Sequence, residues 1–86
     1  MNILFSPQAW EDYLYWQQTD KKIVRKIHDL IKDTARSPYA GIGKPEPLKY
    51  TFAGFWSRRV NSEHRMVYRL AGNTLEIAQL RYHYTD

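Results

Sequence analysis

Residues 55–82 read FWSRRVNSEHRMVYRLAGNTLEIAQLRY, and this stretch decides the fold. Segments 55–60, 65–70 and 74–82 are rich in the β-branched and aromatic residues that suit a pleated, half-buried surface. Between them, Asn61-Ser62-Glu63 and Ala71-Gly72-Asn73 supply the small and polar residues of hairpin connections, which predicts an antiparallel three-stranded meander. Within 65–70, alternation of period two puts Met66, Tyr68 and Leu70 on one face and Arg65, Val67 and Arg69 on the other. The sheet should therefore have one face for helices to cover and one basic face.

Toward the N-terminus the period changes. A short β-prone stretch over 2–5 ends at Ser6-Pro7, where Ser can cap a helix and Pro can occupy its first position. Trp10, Tyr13, Leu14 and Gln17 follow the i, i+3, i+4, i+7 spacing and predict an amphipathic helix over 7–18, with Glu11 and Asp12 near its positive end. Thr19-Asp20 breaks and recaps the chain. Ile23, Val24, Ile27, Leu30, Ile31 and Thr34 then recur at helical period, opposite Lys21, Lys22, Lys26, Asp29, Lys32 and Asp33, until Ser37-Pro38 stops the helix. The pair forms an αα-hairpin. The stretch to Pro47, with Gly41, Gly43, Pro45 and Pro47, reads as a long loop. Trp10, Trp16, Phe55 and Trp56 read most economically as core. The expected class is α+β, two N-terminal helices on a twisted antiparallel sheet, in one domain over 1–86.

A domain near this size buries only roughly 60% of the surface its unfolded chain exposes, so a partner chain is expected. The absence of Cys excludes a disulfide framework and thiolate metal sites, and His28, His64 and His83 lack ligand-like spacing, so no metal is expected. No targeting segment is evident at Met1 to Ser6 and no run approaches the roughly 18 apolar residues of a membrane span, which points to a soluble cytoplasmic protein. Net charge is +4. The excess lies in the second half, where Lys44, Lys49, Arg58, Arg59, Arg65, Arg69 and Arg81 face only Glu46, Glu63 and Glu76 before His83. A basic surface on a small domain attracts polyanions, and nucleic acid heads the expected partners, beside the plainer reading of a solvated basic face.

Four features could carry chemistry: the Gly/Pro-rich loop with Lys44, Glu46 and Lys49; the pair Arg58-Arg59; Arg65 at the head of a strand; and Arg81-Tyr82-His83-Tyr84. Metal-free RNA cleavage needs a base for the 2′-OH proton, a cation for the phosphorane and an acid for the departing 5′-oxygen. Glu46, held between Pro45 and Pro47, suits the base, or is a solvated loop carboxylate. His83 suits the acid, because imidazole titrates near neutrality without perturbation; a surface His near a chain end equally needs no role. Arg65 can grip two phosphate oxygens at once, or simply pair with Glu63 or Glu76. Lys49 and Arg59 are candidates for phosphate contacts, with Arg58, Arg69 and Arg81 in reserve. Tyr82 and Tyr84 could stack on a base, though Tyr82 fits core packing equally well. His28 and His64 read as structural or solvated.

The strings W-x-D-Y-L-Y-W at 10–16, G-K-P-E-P-L-K at 43–49, G-F-W-S-R-R at 54–59, E-H-R-x-V-Y at 63–68 and R-Y-H-Y at 81–84 resemble the YoeB (Txe) family of toxins in the RelE/ParE superfamily, over essentially the whole chain. The resemblance implies a RelE-like, microbial-ribonuclease-like fold. It also implies cleavage of mRNA in the ribosomal A site without cofactor or metal, leaving a 2′,3′-cyclic phosphate or 3′-phosphate and a 5′-OH. By the same resemblance Glu46 is general base, His83 general acid, Arg65 the stabiliser of transition-state charge, Lys49 and Arg59 phosphate ligands, and Tyr84 an orienting residue. It further implies a YefM-like antitoxin that covers the basic site, contact with operator DNA only through the toxin–antitoxin complex, and homodimers. Family chains often end at the Tyr, whereas Thr85-Asp86 here adds negative charge beside His83. Two other readings compete: a basic nucleic-acid-binding regulatory module without chemistry, and a superfamily toxin directed at gyrase. A base–acid pair of Glu46 and His83 separates the enzyme from both.

Overall fold

Ser6 turns the chain from its first strand into its first helix: its Oγ accepts the Ala9 N–H at 3.0 Å and donates to the Ala78 carbonyl at 2.7 Å. The computed structural model describes residues 1–82. Their order is β1 (Asn2–Phe5), α1 (Pro7–Thr19), α2 (Lys21–Arg36), β2 (Glu46–Pro47), a 3-10 turn (Tyr50–Phe52), β3 (Trp56–Arg59), β4 (Arg65–Ala71) and β5 (Thr74–Gln79). Asp20 ends one helix and starts the next, its carboxylate accepting the N–H groups of Lys22 and Ile23. Such caps satisfy donors that the first helical turn leaves open. Among the described residues no helix is long and apolar enough to cross a membrane.

The strands form one sheet in the order β1-β5-β4-β3-β2. The expected meander is present, with β3–β4 and β4–β5 antiparallel, and β2 joins it antiparallel to β3. The sheet is nevertheless mixed, because β1 lies parallel to β5, pairing Leu4 with Glu76 and Phe5 with Ile77. The helix pair carries the chain across the sheet between these strands, which is what a parallel pairing requires. Glu46–Pro47, read from sequence as loop, is a short edge strand; Pro is tolerated at an edge because its missing N–H is not called on by a second neighbour.

Burial follows the alternation on the helix-covered face. Met66, Tyr68, Leu75, Ile77 and Leu80 are fully or almost fully buried with Ile27 and Leu30 of α2 and Ala9 and Trp16 of α1. Three expectations are corrected. The buried stripe of α1 is Ala9, Asp12 and Trp16, one residue round from the predicted Trp10–Tyr13–Gln17 line, and Trp10 is 48% exposed, stacked on Tyr13. The cause is Asp12, whose carboxylate accepts the Leu80 N–H at 2.9 Å while Trp16 Nε1 donates to the Leu80 carbonyl at 3.0 Å. With both backbone groups of Leu80 engaged by α1, β5 stops at Gln79 rather than running to Tyr82, and Tyr82 is exposed. Val67 lies on the basic face as expected and is fully buried there, between Ser57 and Gln79 in register.

Arg58, held in reserve as an RNA contact, is wholly buried and structural. Its Nη1 donates to Asp33 Oδ2 (2.6 Å) and the Ile42 carbonyl (3.0 Å), its Nη2 to the carbonyls of Ser37 (2.6 Å) and Ala40 (3.0 Å), and its Nε to the Tyr68 hydroxyl (3.2 Å). Every guanidinium donor therefore has an acceptor, the condition on which a buried charge is tolerated. The Asp33 carboxyl sits at about 2 instead of 3.8, first because Arg58 donates to it, then through the Ile42 N–H and Arg36. A depressed folded-state value means that the stabilisation is full above about pH 4 and is lost as pH falls through about 2. Wild-type protein is expected to lose urea resistance over that interval more steeply than Asp33→Asn; parallel curves of midpoint against pH would contradict this.

Candidate active site

The loop after α2 is built inward from Arg58 and outward from Gly43. A Cβ on Gly43 would lie 2.8 Å from Leu30 Cδ2 and 3.1 Å from the Arg59 carbonyl, and the backbone there has φ +79°. Only glycine fits that approach, which lets the Gly43 carbonyl accept the Arg59 N–H at 2.7 Å. From this anchor the chain runs past Lys44 and Pro45 into β2, where Glu46 stands directly opposite Ser57 and Pro47 opposite Trp56. The fixed sheet register, rather than the loop alone, sets where the Glu46 carboxylate can reach.

It reaches Arg65. Arg65 Nη1 lies 3.1 Å from Glu46 Oε1 and donates to Ser57 Oγ at 3.1 Å. Among the described residues Glu76, one of the expected alternatives for Arg65, pairs with Arg69 instead. Arg65 is mostly buried at 17% exposure of its side chain, and Glu46 is open at 57%, so the guanidinium is the fixed member of the pair and the carboxylate the accessible one. Arg59 faces Arg65 across the β3–β4 ladder. Like charges opposite each other are unfavourable in a sheet, and a polyanion laid between them relieves the repulsion. Arg59 is exposed, as is Lys49 at the start of the 3-10 turn that follows β2. The sheet thus gathers Glu46, Arg65 and Arg59 on its open face, with Lys49 three residues beyond Glu46 in the chain.

His83 and Tyr84, with Thr85 and Asp86, lie outside the described residues. The other reserve arginines are held by rings: Arg69 over Phe55, and Arg81 over Tyr15 at 3.5 Å and near Tyr82 at 4.7 Å. Sequence reasoning passed over Ser57, while His64, read as structural or solvated, has a structural role. Ser57 could have been found by carrying the alternation of β3 back from Arg59. His64 Nδ1 accepts the Tyr82 N–H at 2.7 Å, and the Arg65 N–H donates to the Tyr82 carbonyl at 3.1 Å, so both backbone groups of Tyr82 are fastened to the start of β4. No signal of spacing or composition announces that clamp. His28 bonds Tyr13 at 2.8 Å, a structural role.

Two helices packed on one face of a small five-stranded mixed sheet make the RelE-like toxin fold, and that is the class of this fold. The family model described as "YoeB-like toxin of bacterial type II toxin-antitoxin system" matches residues 5–84, and the chain belongs to that family. It is 58% identical over 84 residues to toxin YoeB of Escherichia coli strain K12, covering 98% of this chain and 100% of that one. A solved YoeB/ParE toxin from Agrobacterium tumefaciens superposes with a TM-score of 0.95 at 51% identity, covering 98% of this chain and 100% of the other. YoeB of Staphylococcus aureus, solved in complex with YefM, superposes with a TM-score of 0.90 at 53% identity over 98% of each chain, and that toxin has also been solved as a dimer.

Proposed function

We propose that this chain is a ribosome-dependent, metal-independent mRNA endoribonuclease that inhibits translation in the cytoplasm and is neutralised by a YefM-like antitoxin. The observation that supports it best is the contact of Glu46 with Arg65 on an open, basic sheet face. In this reading the 2′-oxygen of a ribose attacks the adjacent phosphorus while Glu46 takes its proton. Arg65 and the neighbouring Arg59 and Lys49 hold the phosphate and stabilise the dianionic phosphorane, and His83 protonates the 5′-oxygen as the P–O bond breaks, with Tyr84 orienting the substrate. The products are a 2′,3′-cyclic phosphate, which water can open to a 3′-phosphate, and a 5′-OH. No group beyond base, cation and acid is required, because the nucleophile belongs to the substrate.

The antitoxin and a homodimer come to this chain by its likeness to the Staphylococcus aureus toxin, which is solved both ways. An acidic or disordered partner segment suits the same basic face, and operator DNA would be met only through that complex. The deciding measurement is primer extension on a translated mRNA, comparing wild type with Glu46→Ala. Discrete cuts by the wild type, reduced about 10²–10⁴-fold in the variant, are the expected result. A wild type that binds ribosomes yet makes no cuts would favour a non-catalytic binding module; equal cutting by both proteins would remove Glu46 from the role of base.

A further inference from the structure

Arg65 has a second partner, and its chemistry differs from that of Glu46. Ser57 is fully buried on β3, directly across from Glu46 on one side and Val67 on the other. Its Oγ accepts from the same Nη1 that faces Glu46 Oε1. An exposed carboxylate cannot fix a guanidinium well, because such pairs exchange readily with water. A general base must also turn toward its proton during the reaction, and Glu46 would then leave Arg65 unsupported. A hydroxyl fixed to a central strand holds the guanidinium without cancelling its charge, leaving the other donors for phosphate oxygens.

We infer that Ser57 is a positioning residue, which keeps the Arg65 guanidinium aimed at the scissile phosphate while Glu46 moves to take the 2′-OH proton. This rests on the ribonuclease reading above and adds the group that pre-organises its cation. Pre-organisation acts on the chemical step rather than on binding, because the donor must already point to where charge will develop.

The test measures single-turnover cleavage of ribosome-bound mRNA over a range of toxin concentrations, for wild type, Ser57→Ala and Ser57→Cys. Cysteine keeps the volume and is a poor acceptor, so it separates the hydrogen bond from packing. Both variants are expected to cleave about tenfold more slowly at saturation, with the half-saturating concentration changed less than about twofold. In an Arg65→Ala background, Ser57→Ala should have no further effect. A Cys variant as fast as wild type, or an undiminished Ser57→Ala effect without Arg65, would overturn the inference. NMR of the Arg65 guanidinium reports independently of activity: hindered Nη rotation in wild type and free rotation in Ser57→Ala are expected, and equal rotation would refute positioning. Absence of any cuts by wild type would instead sink the ribonuclease reading, leaving the NMR comparison to judge Ser57.

Discussion

Arg65→Ala is expected to slow mRNA cleavage by about 10²–10³-fold while changing ribosome association by no more than a few fold, because removing one pre-organised donor to a developing oxyanion typically has that effect on the chemical step. Arg59 and Lys49 remain exposed near the same strands, so the sheet keeps cations for the phosphate backbone when Arg65 is lost. Arg65→Lys should recover only a small part of the rate. An ammonium lacks the planar fork and cannot engage Ser57 while presenting two parallel donors to phosphate. Rates from single-turnover primer extension and association from ribosome pelleting decide the matter. Losses of equal size in both would reduce Arg65 to a binding residue.

The second large effect concerns its neighbour in sequence. Arg58→Met should destabilise the fold by about 3–5 kcal/mol, since a buried guanidinium that satisfies several acceptors at once is lost. The carbonyls of Ser37, Ala40 and Ile42 lose their guanidinium donor, and the Asp33 carboxylate keeps only Arg36 and the Ile42 N–H. Against a typical total of about 5–15 kcal/mol, the variant stands near the edge of folding. Arg59→Met, one position along and exposed, should stay within about 0.5 kcal/mol of wild type. Urea midpoints of the two variants, measured together, give the contrast directly; similar midpoints would show that the Arg58 network contributes little.

Those adjacent arginines also show what could be read from the chain alone. The helices, the three-stranded meander and the two-faced sheet were legible because long runs of apolar residues keep a clear period. Arg58 and Arg59 were grouped by composition, whereas alternation separates them: Arg58 falls with Trp56 on the helix side and Arg59 with Ser57 on the open side. Two features had no local signal. The parallel placement of β1 depends on a strand some seventy residues away, and the rotated stripe of α1 depends on a buried aspartate that a hydrophobic pattern counts as surface. Of the site, Glu46 and Arg65 were named by chemistry and family strings, but their contact comes from the pairing of β2 with β3 and β3 with β4. Ser57 was missed because a hydroxyl acquires its role only from what the fold brings to it, and the partner of His64, though not its structural role, was likewise illegible.

The position of β5 has a consequence for how the molecule comes into being. It lies between β1 and β4, and Leu75, Ile77 and Leu80 belong to the buried cluster that α1 and α2 cover. The first strand and the first helix must therefore wait for residues 74–80 before they have anything to dock on. Such distant pairings form only after the chain entropy of closing the intervening segment has been overcome. A chain that stops short of residue 74 lacks the strand that joins β1 to the β3–β4 hairpin, and so it cannot close the sheet.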